Sequence, residues 1–202
     1  MQLYFAPDTI ARASLIVLEE IGAPYVAVKV DLSQGAQRAA AYLAVNAKGR
    51  VPALVTEAGV LTETPAILTY LAARSPEAGL MPADPFRAAQ VQEICAFLCS
   101  TVHVAHAHRL RGARWSDDPA VIEGMKVKVR QNMGDHFACL ERRFVGPWVM
   151  GGAYSVADPY LFVIAGWLEF DGVDLAQFPR IAAHHAAMRA RPAVQRVLAG
   201  GG

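Results

Sequence analysis

Two neighbouring segments of the sequence carry groups that could bind a small polar ligand. Thr64 and Pro65 precede an apolar run, which is typical of the N-cap and first residue of a helix, and Glu63 stands just before them. The free N–H groups and the positive dipole of a helix start bind a carboxylate, while a glutamate accepts from an ammonium group. Together they complement an amino-acid zwitterion. An ordinary capped helix with a solvated glutamate explains the same residues.

A dozen residues earlier, Val51 and Pro52 stand directly before a predicted strand. A trans bond in a loop is the commoner state of such a pair. A cis bond would instead turn the backbone N–H and C=O of Val51 outward, where an extended peptide could pair as an added strand. The two segments together therefore favour a peptide-like ligand more specifically than either does alone.

Two other clusters of residues in the sequence could carry chemistry. His103, His106 and His108 lie in one predicted helix, but only the first two share a face and no carboxylate or cysteine completes a set, so no metal site is predicted. Ser155 and Asp158 resemble a capping box that opens a helix apolar on every side. We therefore interpret this second pair as structural.

The elements that must position these residues alternate in type along the first third of the chain. The order β-α-β-α-β-β-α predicts a mixed four-stranded sheet with helices on its faces. The predicted strands are 2–5, 25–30, 53–56 and 60–62, and the predicted helices are 10–21, 37–44 and 65–73.

A segment with three prolines and a glycine follows, after which only helical patterns appear. We therefore predict an α/β domain over 1–76, a linker over 77–85 and an all-helical bundle over 86–202. The predicted helices of the second domain are 86–110, 119–144, 156–170, 181–189 and a short one from 192. The glycines at 200–202 are predicted to be disordered.

Composition limits the function classes. Nineteen basic against 18 acidic residues leave a charge of +1, so neither nucleic acid nor a membrane surface is an expected partner. The most apolar stretch, 160–167, is too short to span a bilayer. Three cysteines, Cys95, Cys99 and Cys139, form no C-x-x-C spacing, which favours a cytoplasmic location.

Three motifs resemble the signatures of the glutathione transferase superfamily in order and spacing: Val-Pro-Ala-Leu at 51–54, Leu-Thr-Glu-Thr-Pro-Ala-Ile-Leu at 61–68 and Ser-Val-Ala-Asp at 155–158. Leu-Tyr-Phe-Ala-Pro at 3–7 and the segments 17–22, 30–32 and 44–49 are most similar to the bacterial beta class. The resemblance implies a thioredoxin-like domain followed by a helical bundle. It also implies a cytoplasmic homodimer that conjugates the glutathione thiol to a small hydrophobic electrophile, as in detoxification.

The resemblance also implies roles for individual residues. Pro52 should be cis, the Val51 backbone should pair with the cysteinyl part of glutathione, and Glu63 and Thr64 should hold its γ-glutamyl end. The implied glutathione site also includes Lys48 and Arg50. His103 aligns with the active-site histidine of the beta class, although a solvated or packing histidine explains it equally well. The implied pocket for the second substrate is lined by Phe97, His106, Arg109 and Trp115.

The chain departs from the beta class at the start of the first helix, where that class usually carries a Cys-Ser pair. Here the sequence is Pro-Asp-Thr-Ile-Ala at 7–11, so no mixed disulfide can form there. The backbone N–H groups of Ile10 and Ala11, aided by the Thr9 hydroxyl, could instead stabilise a glutathione thiolate. Tyr4 is the alternative, since strand alternation lets only one of Tyr4 and Phe5 face a cleft.

Asp8 works against a thiolate, because a nearby carboxylate raises the pKa of a thiol. The loss of the Cys-Ser pair therefore keeps a second function open. In that alternative, the fold is a non-catalytic module that binds glutathione or another ligand, or that docks a protein.

Overall fold

A computed structural model describes all 202 residues. The strands are β1 Gln2–Phe5, β2 Val26–Lys29, β3 Ala53–Thr56 and β4 Gly59–Thr62. The α-helices are α1 Ala11–Glu20, α2 Ala40–Leu43, α3 Thr64–Arg74, α4 Pro85–Phe97, α5 His103–Arg111, α6 Pro119–Arg143, α7 Ala157–Ala165, α8 Pro179–Ala190 and α9 Pro192–Ala199. The predicted fold class, a mixed sheet with helices followed by helices alone, is confirmed.

The sheet has the order β2-β1-β3-β4. Leu3 of β1 pairs with Ala27 in the parallel β2 and with Leu54 in the antiparallel β3. Leu54 in turn pairs with Leu61 of β4, so β3 and β4 form the predicted hairpin. This order places the segment that leads into β3 and the start of α3 at the same end of the sheet.

Helix α1 joins the sheet to the C-terminal helices. It packs against α3 on one side and against α7 and α9 on the other. One apolar core of 41 buried residues extends from Leu3 and Leu54 in the sheet to Phe137 and Leu161 in the helical part. The two parts therefore share a continuous core, while the division into 1–76, 77–85 and 86–202 stays a prediction.

Two predicted helices differ from the structure. The segment predicted as one helix over 37–44 is a 3₁₀ turn, Ala36–Arg38, followed by the single turn of α2. Ala39 between them is extended, with ψ 144°. Tyr42 is the one buried residue of α2, so this alanine-rich segment lacks the apolar face that would stabilise a longer helix.

The helix predicted over 86–110 is interrupted by a π-helix, Leu98–Val102, between α4 and α5. A π turn inserts a residue into the helical repeat and is frequent at functional sites. Leu98 and Val102 are fully buried here, whereas Cys99 and His103 line a cleft. The irregular turn therefore lies where the helix meets the cleft.

The last glycines are ordered, so the prediction of a disordered tail is wrong. Gly202 is buried, and its carbonyl accepts a hydrogen bond from Nε of Arg12 at 2.7 Å. The tail thus packs onto α1, which explains its order. None of the helices combines the length and apolar character needed to cross a membrane.

Candidate functional site

A cleft of about 1060 Å³ lies between the sheet end and the helical part. Its α/β wall consists of lining residues between positions 8 and 64, and its helical wall of lining residues between 99 and 198. Of the residues predicted for function, the structure brings these to the cleft: Thr9, Ile10, Arg50, Val51, Pro52, Glu63, Thr64, His103, His106 and Trp115.

Val51 presents an unpaired peptide edge to the cleft. The Val51–Pro52 peptide bond is cis, as the resemblance implies. Neither the N–H nor the C=O of Val51 has a hydrogen-bond partner within the protein. The preceding carbonyl, that of Arg50, accepts from Oη of Tyr42 at 2.6 Å and from Nδ2 of Asn46 at 2.7 Å. These two bonds hold the loop while leaving the Val51 edge available to a ligand.

The start of α3 adjoins this edge. The N–H of Ile67 donates to the Glu63 carbonyl at 3.1 Å, so the helical hydrogen bonding begins one residue earlier than predicted. The prediction of Thr64 as N-cap is therefore wrong: Glu63 holds that position, with φ 69° and no side-chain cap bond. The first-turn N–H groups of a helix have no acceptor within it, so they can serve a bound carboxylate.

Glu63 is already engaged in an ion pair. Nζ of Lys48 lies 2.6 Å from Oε1 of Glu63 and also donates to the Thr62 hydroxyl at 2.8 Å. Both charged side chains are about half exposed, so solvent screens the pair and a ligand ammonium can compete with it. Lys48 does not line the cleft itself and reaches it only through Glu63.

The loop between β1 and α1 supplies the Ile10 N–H as a free donor. The Thr9 hydroxyl donates to the Ala6 carbonyl at 2.7 Å and accepts from the N–H of Ala11 at 3.3 Å. The expectation that the Ala11 N–H is free is therefore wrong, because the hydroxyl occupies it. The N–H of Ile10 has no partner within the protein and remains the available donor.

Asp8 sits at the cleft edge with φ 55°, and its carboxylate lies 2.6 Å from Nη2 of Arg12. The expected repulsion of a thiolate by Asp8 is thus offset by an arginine one helical turn away.

The structure places Tyr4 away from the cleft. Its ring packs against that of Tyr42, with centroids 5.6 Å apart. Phe5 points to the other face and is buried in the core at 7% exposure. Strand alternation therefore separates the two side chains as expected, but neither one lines the site.

His103 contributes a neutral imidazole to the helical wall. Burial, followed by the charges of His106, Arg111 and Arg114, lowers the pKa of His103 to about 4. At neutral pH the ring is therefore uncharged and can donate one hydrogen bond and accept another. Its centroid lies 5.0 Å from that of Trp167.

His106 is oriented from behind by a buried carboxylate. Nδ1 of His106 lies 2.7 Å from Oδ2 of Asp171, which is fully buried, and the imidazole stacks on Trp167 with centroids 4.3 Å apart. Oδ1 of Asp171 has no partner. A carboxylate on one ring nitrogen fixes the ring orientation, as in histidines that act on a ligand through the other nitrogen.

Two residues predicted for the second-substrate pocket lie elsewhere. Phe97 packs edge-on against His136, with centroids 5.7 Å apart, on the side of α4 that faces α6. The guanidinium of Arg109 lies 4.5 Å from the ring centroid of Phe170, which itself lines the cleft. Arg109 thus contacts a residue of the cleft lining but does not line the cleft itself, and a cation–π contact with Phe170 holds it there.

Sequence reasoning missed several arginines of the cleft. Arg38, Arg111 and Arg114 line it together with the predicted Arg50. Partial burial and the positive charges of Arg111, Arg50 and Arg38 lower the pKa of Arg114, so these groups lie close enough to repel one another. Three arginines between positions 109 and 114 are visible in the sequence as a basic cluster. Whether their side chains reach the cleft depends on the turn after α5, which the sequence alone does not define.

Ser155 and Asp158 lie outside the cleft, at the start of α7. Oδ2 of Asp158 accepts from the Ser155 N–H at 2.7 Å and from its hydroxyl at 3.2 Å. Oδ1 accepts from the Val149 N–H at 2.8 Å and lies 3.0 Å from Nε2 of His184. Asp158 therefore ties three segments of the helical part together. No group of three or more His, Cys, Asp or Glu side chains is placed to hold a metal ion.

Family comparison agrees with this geometry. The model for the glutathione S-transferase N-terminal domain matches residues 1–73, and that for the C-terminal domain matches residues 88–187. The chain belongs to the glutathione transferase superfamily. The glutathione S-transferase GstA of Escherichia coli O157:H7 is 30% identical, over 100% of this chain and 99% of that protein.

Two further relatives bear on the site. A maleylacetoacetate isomerase of Pseudomonas aeruginosa is 33% identical over 96% of this chain and 97% of its own length. A crystal structure of a glutathione transferase homologue from Sulfitobacter, with bound glutathione, is 46% identical and superposes with a TM-score of 0.97, covering 99% of this chain and 97% of that one. That homologue, which shares this architecture, thus binds glutathione.

Proposed function

We propose that this glutathione transferase binds glutathione along its α/β wall and adds the glutathione thiol to a small electrophile held against the helical wall. The observation that carries the proposal is the unpaired N–H and C=O of Val51 beside the start of α3 and Glu63, all in one cleft. These groups match an extended peptide with an amino-acid end.

In the proposed complex, each part of glutathione meets a different group. The cysteinyl backbone pairs with Val51, and the γ-glutamyl carboxylate lies at the first turn of α3 near Thr64. The γ-glutamyl ammonium approaches Glu63 and either displaces Lys48 from that carboxylate or shares the carboxylate with it, since the ion pair is solvent-exposed. The glycyl carboxylate lies near Arg50, which adjoins Val51 in the chain.

The thiolate would be stabilised chiefly by the backbone and by positive charge. A thiol with a pKa near 8.5 needs about 1.4 kcal/mol of differential stabilisation for each unit by which that pKa falls. The free N–H of Ile10 can donate to the sulfur, and the unpaired arginines of the cleft favour the anion. The Thr9 hydroxyl donates its hydrogen to the Ala6 carbonyl and so supports the loop. It can donate to the sulfur only if that bond breaks.

The chemical step needs no protein nucleophile. The thiol releases its proton to water, the sulfur forms a bond to the electrophilic carbon, and with an aryl halide the halide leaves. His106, fixed by Asp171, and Trp115 line the region in which the electrophile would lie. Positioning and electrostatic stabilisation are then the main catalytic devices.

Homodimerisation is the second part of the proposal. It is supported by apolar side chains exposed on both parts of the chain, namely Val60 on β4 at 45% and Phe86 on α4 at 72%. A dimer in which the α/β part of one subunit meets the helical part of the other would cover both. Light scattering on purified protein at micromolar concentration tests this, since a monomeric mass would rule it out.

The test of function combines binding with turnover. The protein is applied to immobilised glutathione, eluted with free glutathione, and assayed with a generic aryl halide against the uncatalysed rate. Retention with turnover is expected. Retention without turnover would select the non-catalytic binding module, and no retention would reject both functions.

A further inference from the structure

The cleft holds more positive charge than glutathione requires. Its lining includes two carboxylates that are already paired, Asp8 with Arg12 and Glu63 with Lys48. Glu169 is the third lining carboxylate, and its side chain makes no ion pair or hydrogen bond. The following lining arginines have neither an ion-pair nor a hydrogen-bond partner for their guanidinium groups: Arg38, Arg50, Arg111, Arg114 and Arg189.

Four of these arginines form two pairs, one on each wall. Arg50 adjoins Val51, and Nη1 of Arg38 lies 3.1 Å from the position that a Cβ on Gly49 would take, so both belong to the glutathione side. Arg111 is the last residue of α5 and Arg114 ends the 3₁₀ turn Gly112–Arg114, so both project from the helical wall. The glycyl carboxylate of glutathione therefore has two arginines on its own side.

The turn that carries the helical pair is tightly built. Gly112 is buried, and a Cβ there would lie 2.8 Å from Cγ2 of Ile122 on α6. The absence of a side chain lets α5 and α6 approach closely at this point. Arg111 and Arg114 flank this contact and are directed to the cleft beside Trp115.

We propose that the electrophile used by this transferase carries a carboxylate, and that Arg111 and Arg114 bind it. The inference rests on the proposed function and names the substrate class for the same site. Glutathione brings two anionic groups besides its zwitterionic γ-glutamyl end, the glycyl carboxylate and the thiolate. Together with Glu169 they do not balance the five unpaired arginines of the lining, so an excess of positive charge remains for a further anion beside the helical pair. Arginines bind carboxylates through paired charge-assisted hydrogen bonds, and Trp115 beside them offers an aromatic surface for the rest of the molecule.

The first experiment measures binding without chemistry. The protein is saturated with S-methylglutathione, and 3,5-dinitrobenzoate and the isosteric 3,5-dinitrobenzamide are titrated by calorimetry. The acid is expected to bind about ten-fold more tightly than the amide or better, because a charged hydrogen bond replaces a neutral one. Equal affinities would overturn the inference.

A matched pair of double variants locates the effect. In Arg111→Gln with Arg114→Gln, the preference for the acid should fall to within about two-fold of unity, since the charged partners are gone. The control, Lys128→Gln with Arg142→Gln, removes the same charge from exposed positions of α6 outside the cleft and should keep the preference. Equal loss in both variants would show a general charge effect and contradict the proposal.

Turnover separates this inference from the proposed function. Glutathione conjugation is measured with 4-chloro-3,5-dinitrobenzoate and its amide, each against its uncatalysed rate. Preferred binding of the acid without any turnover would reject catalysis but retain the carboxylate site. Equal turnover of the acid and the amide would retain catalysis and reject the carboxylate site. A third outcome concerns the double variant Arg111→Gln with Arg114→Gln. If its KM for glutathione is raised while the preference for the acid is intact, Arg111 and Arg114 bind the glycyl carboxylate, and the inference is rejected.

Discussion

The two walls of the cleft offer different kinds of groups to a ligand. The α/β wall offers mainly main-chain atoms, at Val51, Ile10 and the start of α3, besides the side chains of Arg38 and Arg50, and its two carboxylates are already paired. The helical wall offers side chains, chiefly aromatic rings, three histidines and unpaired arginines. Main-chain N–H and C=O groups remain when a side chain is substituted, whereas the contacts that a side chain offers to a ligand change with each substitution. The first wall therefore suits a constant ligand and the second suits a ligand that differs between relatives.

The largest expected effect tests whether the walls are structurally independent. Asp158→Ala leaves the N–H groups of Ser155 and Val149 and the ring of His184 without their buried acceptor. We expect the free energy of unfolding, measured in urea, to fall by about 3–5 kcal/mol. Because both walls share one core, glutathione affinity should be lost in the same transition.

A matched control is Asp174→Ala, which removes an exposed carboxylate that caps only the N–H of Ala176. The expected cost of losing that cap is about 1 kcal/mol. If Asp158→Ala lowered stability no more than this control, or if the α/β wall still bound glutathione after the helical part had unfolded, the shared core would not couple the walls.

The next effect concerns the pH dependence of the helical wall. The pKa of His103 is about 4 in the folded protein, whereas an unfolded histidine titrates near 6.5. Between these values the unfolded chain binds a proton that the folded chain does not, so the free energy of unfolding falls as pH drops from about 6.5 to 4. The contribution reaches up to about 3 kcal/mol at the acid end.

His103→Asn should therefore flatten part of this acid-side slope, as measured by urea unfolding at several pH values. His185 retains its share in that variant, because burial and Arg189 also lower its pKa to about 4. The same slope in variant and wild type would contradict the account of His103 as a partly buried, neutral ring.

A smaller effect tests the γ-glutamyl contact on the α/β wall. Glu63→Gln removes the charge that would accept the ammonium group, so the KM for glutathione should rise about ten-fold with kcat within two-fold. Stability should hardly change, because the Lys48 pair is solvent-exposed. Glu57→Gln, in the hairpin turn outside the cleft, is the control and should leave both constants unchanged. An unchanged KM in Glu63→Gln would remove this residue from the site.

The α/β wall was largely predictable from the sequence because its determinants are local. The hairpin, the Val51–Pro52 step and the start of α3 each depend on residues within a few positions of one another. The one-residue error at Thr64 arose because Glu63 adopts a positive φ, which residue type alone does not favour.

The helical wall was less predictable because its geometry depends on distant packing. The π-helix at Leu98–Val102 and the close contact of Gly112 with Ile122 decide which side chains reach the cleft. The family resemblance implied Phe97 and Arg109 at the site and gave no role to Arg111 and Arg114. Helical periodicity assumes a regular repeat, so it could not correct these assignments. The partner of His106, Asp171, is 65 residues away in sequence and has no local signal.

The smallest expected effects distinguish backbone from side-chain support of the thiolate. Thr9→Val removes the hydroxyl that bonds to Ala6 and Ala11, so kcat should fall only about three-fold, because the loop loosens while the Ile10 N–H remains as the donor. Tyr4→Phe should leave kcat unchanged, because that ring packs on Tyr42 away from the cleft. If neither variant alters turnover, both side chains are excluded and the Ile10 N–H remains as the donor. A loss above about 100-fold in either would instead assign the thiolate contact to that hydroxyl, since a loosened loop is too small an effect to cause it.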